Sequence, residues 1–204
     1  MERLIVASSE EAQMREAVIG WGRARWPSAR VIHELQIGGC RSDLAFVCPD
    51  NLIVVEIKSS LDVMDRLARQ IRHYTTNAPE VWIAFAPKWL AHIKEHAPSG
   101  VGWLQVTDGK IEETFQFGPH YSGTRPAHCD VMRTVPMLYL LLKPELQSLG
   151  RQHGLRIKSK MDCTDLYHTL ARGLTGDQIV HGVCARLRAR TVGWVADAPI
   201  SLAA

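Results

Sequence analysis

Asp43, Glu56 and Lys58 are the residues of this 204-residue chain whose types and spacing point most directly to chemistry. Glu56 and Lys58 interrupt an apolar run, NLIVVEIKSS, at residues 51–60. Side chains on a strand alternate faces, so two residues at this spacing point the same way. A carboxylate and an ammonium in such a strand are costly unless each has a partner. Asp43 lies in the preceding segment, RSDLAFVC, across a short Pro49-Asp50-Asn51 turn, which lets it stand beside Glu56. Two adjacent carboxylates repel unless a cation sits between them. Hard oxygen ligands with open positions suit Mg²⁺ or Mn²⁺. Lys58 is then placed to orient a water or to stabilise charge on a phosphate, which is the equipment of metal-assisted phosphodiester hydrolysis. The competing reading is a structural ion pair at a partly exposed strand end.

The elements that must position these residues are legible in the pattern. Acids at Glu10 and Glu11 after Ser8-Ser9 read as a helix start. Met14, Val18 and Trp21 then recur at helical spacing up to Pro27. Residues 30–37 and 41–48 read as two strands joined through Gly38-Gly39, and residues 51–60 as a central third. Residues 61–77 have a helical period, and 80–86 form a buried strand. A short helix is expected over 87–96. Strands over 101–106 and 110–117 flank Thr107-Asp108-Gly109, a hairpin signal. This order predicts an α/β fold with a mixed sheet flanked by helices.

The chain resembles the PD-(D/E)xK nuclease superfamily. The resemblance rests on Arg41-Ser42-Asp43 on one strand, Glu56-Ile57-Lys58-Ser59-Ser60 on the next, and Gln70-Ile71-Arg72-His73-Tyr74 on the following helix. The last piece is similar to the Q-x-x-x-Y element of the RecB-like branch. Residues 32–86 look most like the small MmcB-like and sce7726-type nuclease-like proteins of bacteria and phages. The resemblance covers residues 8–117. It implies a restriction-endonuclease-like core with a central four-stranded sheet, and Mg²⁺- or Mn²⁺-dependent cleavage of DNA. It also implies Asp43 and Glu56 as metal ligands, and Asp43, Glu56, Lys58 and Gln70 as the catalytic set. Members often add an acid from the first helix. Glu10, Glu11 and Glu16 are candidates; Glu10 and Glu11 fall at the edges of the inner face of that helix and Glu16 on the opposite side, and Glu11 is preferred, against the alternative that it only complements the helix dipole. Glu34 is a candidate ligand from the first strand, against a solvated strand-edge acid. Arg41 and Tyr74 are candidate DNA contacts.

Composition sets the bounds. Hydrophobic residues make up 46% and charged residues 22%, so disorder is excluded as the dominant state. The longest apolar runs fall short of the ~20 residues a membrane span needs. The start, MERLIVASSEE, does not read as a secretory leader. The cysteines number five and are widely spaced, which fits a reducing, cytoplasmic setting. The net charge of +3 is unevenly spread: residues 1–128 carry 14 basic and 15 acidic side chains, and residues 129–204 carry 10 and 6. The Gly/Pro-rich stretch around 117–126 suggests a division into a nuclease-like domain at 1–120, a linker at 121–130 and a basic helical domain at 131–204. Arg156, Lys158 and Lys160 are that domain's candidate DNA contacts. The same helices could instead cap the core or form a homodimer surface. His92 and His96 have ligand-pair spacing but no third ligand, and no phosphate-binding glycine loop is present. The expectation is a metal-dependent DNA nuclease acting in repair, recombination or phage DNA processing. The rival is a nuclease fold that binds DNA without cutting it.

Overall fold

The computed structural model describes residues 9–114, 134–191 and 196–200. Eight strands and six α-helices are present among them: α1 Ser9–Arg25, β1 Arg30–His33, β2 Gln36–Ile37, β3 Cys40–Arg41, β4 Leu44–Val47, β5 Leu52–Lys58, α2 Leu67–Asn77, β6 Glu80–Phe85, α3 Leu90–His96, β7 Gly102–Thr107, β8 Lys110–Thr114, α4 Lys143–Gln152, α5 Cys163–Gly173 and α6 Gly176–Ala189. Six strands form one mixed sheet in the order β1-β4-β5-β6-β7-β8, two more than the resemblance implied. The β1–β4 and β4–β5 pairs are antiparallel, β5, β6 and β7 run parallel, and β8 returns antiparallel to β7. The parallel pairs are joined through α2 and α3, as parallel neighbours require a crossover.

Every residue of β5 is buried, because both faces of the sheet are covered. Ile53, Val55 and Ile57 face α1, whose Met14 and Val18 close that side together with Leu44, Phe46 and Trp82. Leu52 and Val54 face α2 and the C-terminal helices, in one core with Ile71, Tyr74, Leu146, Leu166 and Val183. Glu56 and Lys58 continue the second row, so the alternation that buries Val54 turns both toward α2. Ala45 and Val47 share this face, and the register Leu44↔Val55 sets Asp43 beside Glu56.

The two strands expected at 30–37 and 41–48 are each broken. Glu34 takes a left-handed backbone, φ 58°. The chain rejoins opposite through Glu34 N–H donating to the Asp43 carbonyl (3.3 Å) and Ser42 N–H to the Leu35 carbonyl (3.0 Å). Beyond this bulge-like break, β2 and β3 form a separate two-stranded arm that packs on α2. The helix expected from residue 61 starts at Leu67, after a turn in which Asp62 Oδ2 accepts from the Ser59 N–H and hydroxyl, both at 2.7 Å.

Residues 135–152 form two pieces, a 3₁₀ turn at Val135–Leu140 and then α4 with Pro144 in its first turn. The expected linker at 121–130 lies outside the described residues. The C-terminal helices are joined to the sheet by Arg30, which is buried on β1. Its Nη1 donates to the carbonyls of Leu187 (2.9 Å), Arg188 (3.0 Å) and Arg190 (2.6 Å) at the end of α6, and its Nε to that of Asp197 (3.0 Å). A helix end leaves such carbonyls unpaired. Ala196 bridges Ile32 and covers the outer edge of β1. Among the described residues no helix is long and apolar enough to cross a membrane.

Candidate active site

One cleft of about 710 Å³ is lined by Glu11, Glu34, Arg41, Asp43, Glu56, Lys58 and Gln70, together with Arg15, His33, Asp62, Arg66 and Arg69. The residues expected to form the catalytic set therefore meet in a single cavity. Glu56 is 2% exposed and Lys58 is 4% exposed. The Lys58 ammonium donates to Glu56 Oε1 (2.8 Å) and to Gln70 Oε1 (3.1 Å). Gln70 Nε2 also donates to Glu56 Oε1. An ammonium has three donors, so one remains for a water or a phosphate oxygen.

Asp43 approaches from the strand break. Its Oδ2 accepts the Ile57 N–H at 2.6 Å, which ties it to β5 between Glu56 and Lys58. Burial, and then the Glu56 charge, push the Asp43 carboxyl up to about 7, against the opposing pull of the Ile57 N–H, Arg15 and Lys58. Two carboxylates held this close are the arrangement a divalent cation relieves. Among the described residues no three or more carboxylate, imidazole or thiol groups form a metal cage. The pair Asp43 and Glu56 supplies the oxygen donors that suit a hydrated hard cation held by two carboxylates, which is how Mg²⁺ is commonly bound.

Tyr74, expected as a DNA contact, is fully buried. Its hydroxyl lies 2.8 Å from Glu56 Oε2 and 2.8 Å from the Arg41 carbonyl, so it holds Glu56 from behind. Burial and the Glu56 charge both raise its phenol, which stays protonated as the donor. Gln70 and Tyr74 share a helix face one turn apart, and both end on Glu56. Glu11 and Glu34, the further candidate ligands, line the same cleft and each face a guanidinium group. Glu11 Oε1 is 3.1 Å from Arg15, and Glu34 Oε2 is 2.6 Å from Arg41. Arg41 is exposed at the rim, with Arg66 and Arg69.

Arg156, Lys158 and Lys160 are exposed on the segment between α4 and α5 and do not line the cleft. The arginines of α6 contribute less free charge than the sequence suggests. Arg186 is buried, donating to Glu145 O, Gly182 O, Ser148 Oγ and Gln152 Oε1, and Arg190 pairs with the Glu145 carboxylate.

Sequence reasoning missed three positioning contacts. Glu10 accepts from the Ser60 N–H (3.0 Å) and hydroxyl, pinning α1 to the end of β5. Trp89 Nε1 donates to the Ser59 carbonyl at 2.9 Å. Arg15 donates to the Asp43 carbonyl at 2.8 Å. Only Arg15 left a signal in the sequence, its spacing of four from Glu11 on a helix.

Comparison with known proteins adds a family. Protein cII of Enterobacteria phage P4 is 25% identical over 162 residues, which is 76% of this chain and 59% of that protein. The chain thus spans about three fifths of that relative's length. Among solved structures, a protein of unknown function from Silicibacter pomeroyi aligns over 55% of this chain and 75% of its own, with 18% identity and a TM-score of 0.44. SfsA of Pyrococcus furiosus, in complex with Ca²⁺, aligns over 53% and 61%, with 20% identity and a TM-score of 0.31. The model of the family described as Bacteriophage P4 protein cII matches residues 6–190, sheet and C-terminal helices together, and the chain belongs to that family.

Proposed function

We propose that this protein is a nuclease of PD-(D/E)xK type that hydrolyses DNA phosphodiester bonds in phage-related DNA processing. The observation that carries the reading is the convergence of Asp43, Glu56, Lys58 and Gln70 in one cleft, with Tyr74 fixing Glu56 from beneath. Asp43 and Glu56 would hold Mg²⁺ or Mn²⁺, which when bound supplies charge neutralisation and a more acidic water. Lys58 presents its remaining N–H to the attacking water or to a phosphate oxygen. Gln70 holds Lys58 and Glu56 in register. Arg41, Arg66 and Arg69 at the rim take phosphates on either side of the scissile bond, and Arg156, Lys158 and Lys160 add sequence-independent attraction.

A second reading, a DNA-binding protein on a nuclease fold, is favoured by one observation. Both Glu56 oxygens are already engaged by Lys58, Gln70 and Tyr74. Incubation with plasmid, single-stranded and branched DNA in Mg²⁺ and in Mn²⁺ separates the two. Cleavage that disappears in Asp43→Ala and Lys58→Ala supports the nuclease. Cleavage that persists in both removes these residues from the chemistry. DNA binding without any cleavage favours the second reading.

A further inference from the structure

Arg15 stands where an incoming cation would have to be received. It projects from the second turn of α1 and its side chain is 17% exposed. Nη2 faces three carboxylates: Glu11 Oε1 at 3.1 Å, Asp43 Oδ1 at 3.6 Å and Glu34 Oε1 at 3.9 Å. Nη1 donates to the Asp43 carbonyl at 2.8 Å. Asp43 Oδ2 is committed to the Ile57 N–H, so Oδ1 is its oxygen for a ligand, and Arg15 lies against it.

A guanidinium cannot lose its proton in a protein. It therefore competes with a divalent cation for the same carboxylate through charge alone. It is also well shaped to grip a phosphate with two parallel N–H donors. Arg15 lines the cleft alongside Lys58 and Gln70, within the cavity where a phosphate would enter. A second depression, of about 680 Å³, runs along α1 from Arg15 and His33 to the β7–β8 turn at Asp108-Gly109. The side chain has room there to leave Asp43.

We propose that Arg15 is a built-in counter-ion that holds down the metal affinity of Asp43 until a phosphate draws the guanidinium away. The protein then loads its cation well only when nucleic acid is present. The free protein is kept from unproductive metal binding, and its acidic cluster is kept from self-repulsion. This inference rests on the metal-site reading above. It adds a switch operated by the substrate backbone, and Arg15 acts in it through Asp43 as a positioning residue.

Mn²⁺ binding tests it, measured by calorimetry and by the spin-resonance signal of free Mn²⁺. The full chain would be used as wild type, Arg15→Gln and Glu56→Gln, each with and without a phosphorothioate DNA duplex that resists cleavage. Arg15→Gln is expected to bind Mn²⁺ about tenfold tighter than wild type without DNA, the scale on which an opposite charge within ~4–6 Å biases a carboxylate. DNA is expected to tighten Mn²⁺ binding to wild type and to have little effect on the variant. Equal or weaker Mn²⁺ binding by Arg15→Gln, with wild-type binding intact and lost in Glu56→Gln, overturns the switch and leaves the metal site standing. No Mn²⁺ binding by any form, with or without DNA, overturns both. Arg15→Lys keeps a charge on α1 but cannot make the two-pronged contact. Should the Arg15→Gln variant fail to fold, Arg15→Lys, which keeps the competing charge, must hold Mn²⁺ near wild-type affinity without DNA and lose part of the tightening that DNA brings, and a full wild-type response to DNA in it overturns the proposal.

Discussion

Lys58 and Glu56 form a nearly inaccessible ion pair, and the consequences of breaking it are asymmetric. Lys58→Met leaves the Glu56 carboxylate buried without its counter-charge, which costs about 3–5 kcal/mol. The double variant Glu56→Gln/Lys58→Met removes both charges and is expected to recover most of that loss, as urea unfolding would show. A double variant no more stable than Lys58→Met would mean that the pair is not the source of the cost. Tyr74→Phe acts more locally. It removes the hydroxyl that meets Glu56 Oε2 and leaves a buried acceptor short of a donor, for about 1–3 kcal/mol. If the chain cleaves DNA as proposed, the expected signature is a fall in kcat with KM little changed, since Tyr74 is buried behind Glu56. A raised KM with kcat intact would restore the surface role that the Q-x-x-x-Y pattern suggests.

The strands and helices differ in how each one answers to its own sequence. Glu80, at the start of β6, sits opposite Ile53 of the parallel neighbour and accepts from Trp82 Nε1 (2.8 Å) and Asn51 Nδ2 (2.9 Å). Burial raises its carboxyl above the ordinary value of 4.5 in spite of both donors. An acid whose folded pKa is raised holds its proton more tightly folded than unfolded. Stability is therefore highest below the ordinary value and falls as pH rises through the raised one. Asn51 Oδ1 is buried without a partner, so the amide introduced by Glu80→Gln can donate to it once the Asn51 amide turns over. Glu80→Gln is expected to match wild type near pH 4 and to exceed it at pH 8 by urea unfolding, with a flatter pH profile. Parallel curves for the two proteins would refute this.

The elements legible in the sequence share one property, that their own residues dictate them. β5 is visible as an apolar run, α2 as a 3.6-residue period, and the shared face of Glu56 and Lys58 as simple alternation. The break at Glu34 and Asp43 is not visible. It is a property of two strands facing each other, and no glycine marks the left-handed position that Glu34 adopts. That break frees Asp43 from the β-ladder and lets its carboxylate reach the Ile57 N–H. The order of the site residues can thus be read from the chain, but the device that aims one of them cannot. Arg15 is legible only through its spacing of four from Glu11, and its pairing with Glu34 and Asp43 is hidden for a related reason, since those partners come from both sides of the strand break. Ion pairs between distant segments leave no local pattern.

At the scale of the whole molecule the question is whether the C-terminal helices are an attachment or part of the core. The excess of basic residues after position 128 suggests an appended DNA-binding unit. The structure uses two of those arginines internally, Arg186 on α4 and Arg190 on Glu145, while Arg156, Lys158 and Lys160 keep their charge at the surface. Leu146, Leu166 and Val183 lie in the same hydrophobic cluster as Val54 and Tyr74, which stands directly under the candidate site residues. Arg30 then closes the join, one buried guanidinium serving four carbonyls of the α6 terminus and the segment after it. Wild type is expected to unfold in one transition, with fluorescence from Trp21, Trp26, Trp82, Trp89 and Trp103, which lie on or against the sheet before the C-terminal helices, coinciding with far-UV dichroism dominated by the helices. Arg30→Met keeps the bulk of the side chain and strips the donors from those carbonyls, at a cost of about 3 kcal/mol or more. For a chain of this size that corresponds to roughly 6–12 °C in Tm. The two probes should then separate, with the helical signal lost first. Coincident transitions in Arg30→Met, at an unchanged midpoint, would show that the shared hydrophobic cluster binds the helices without Arg30.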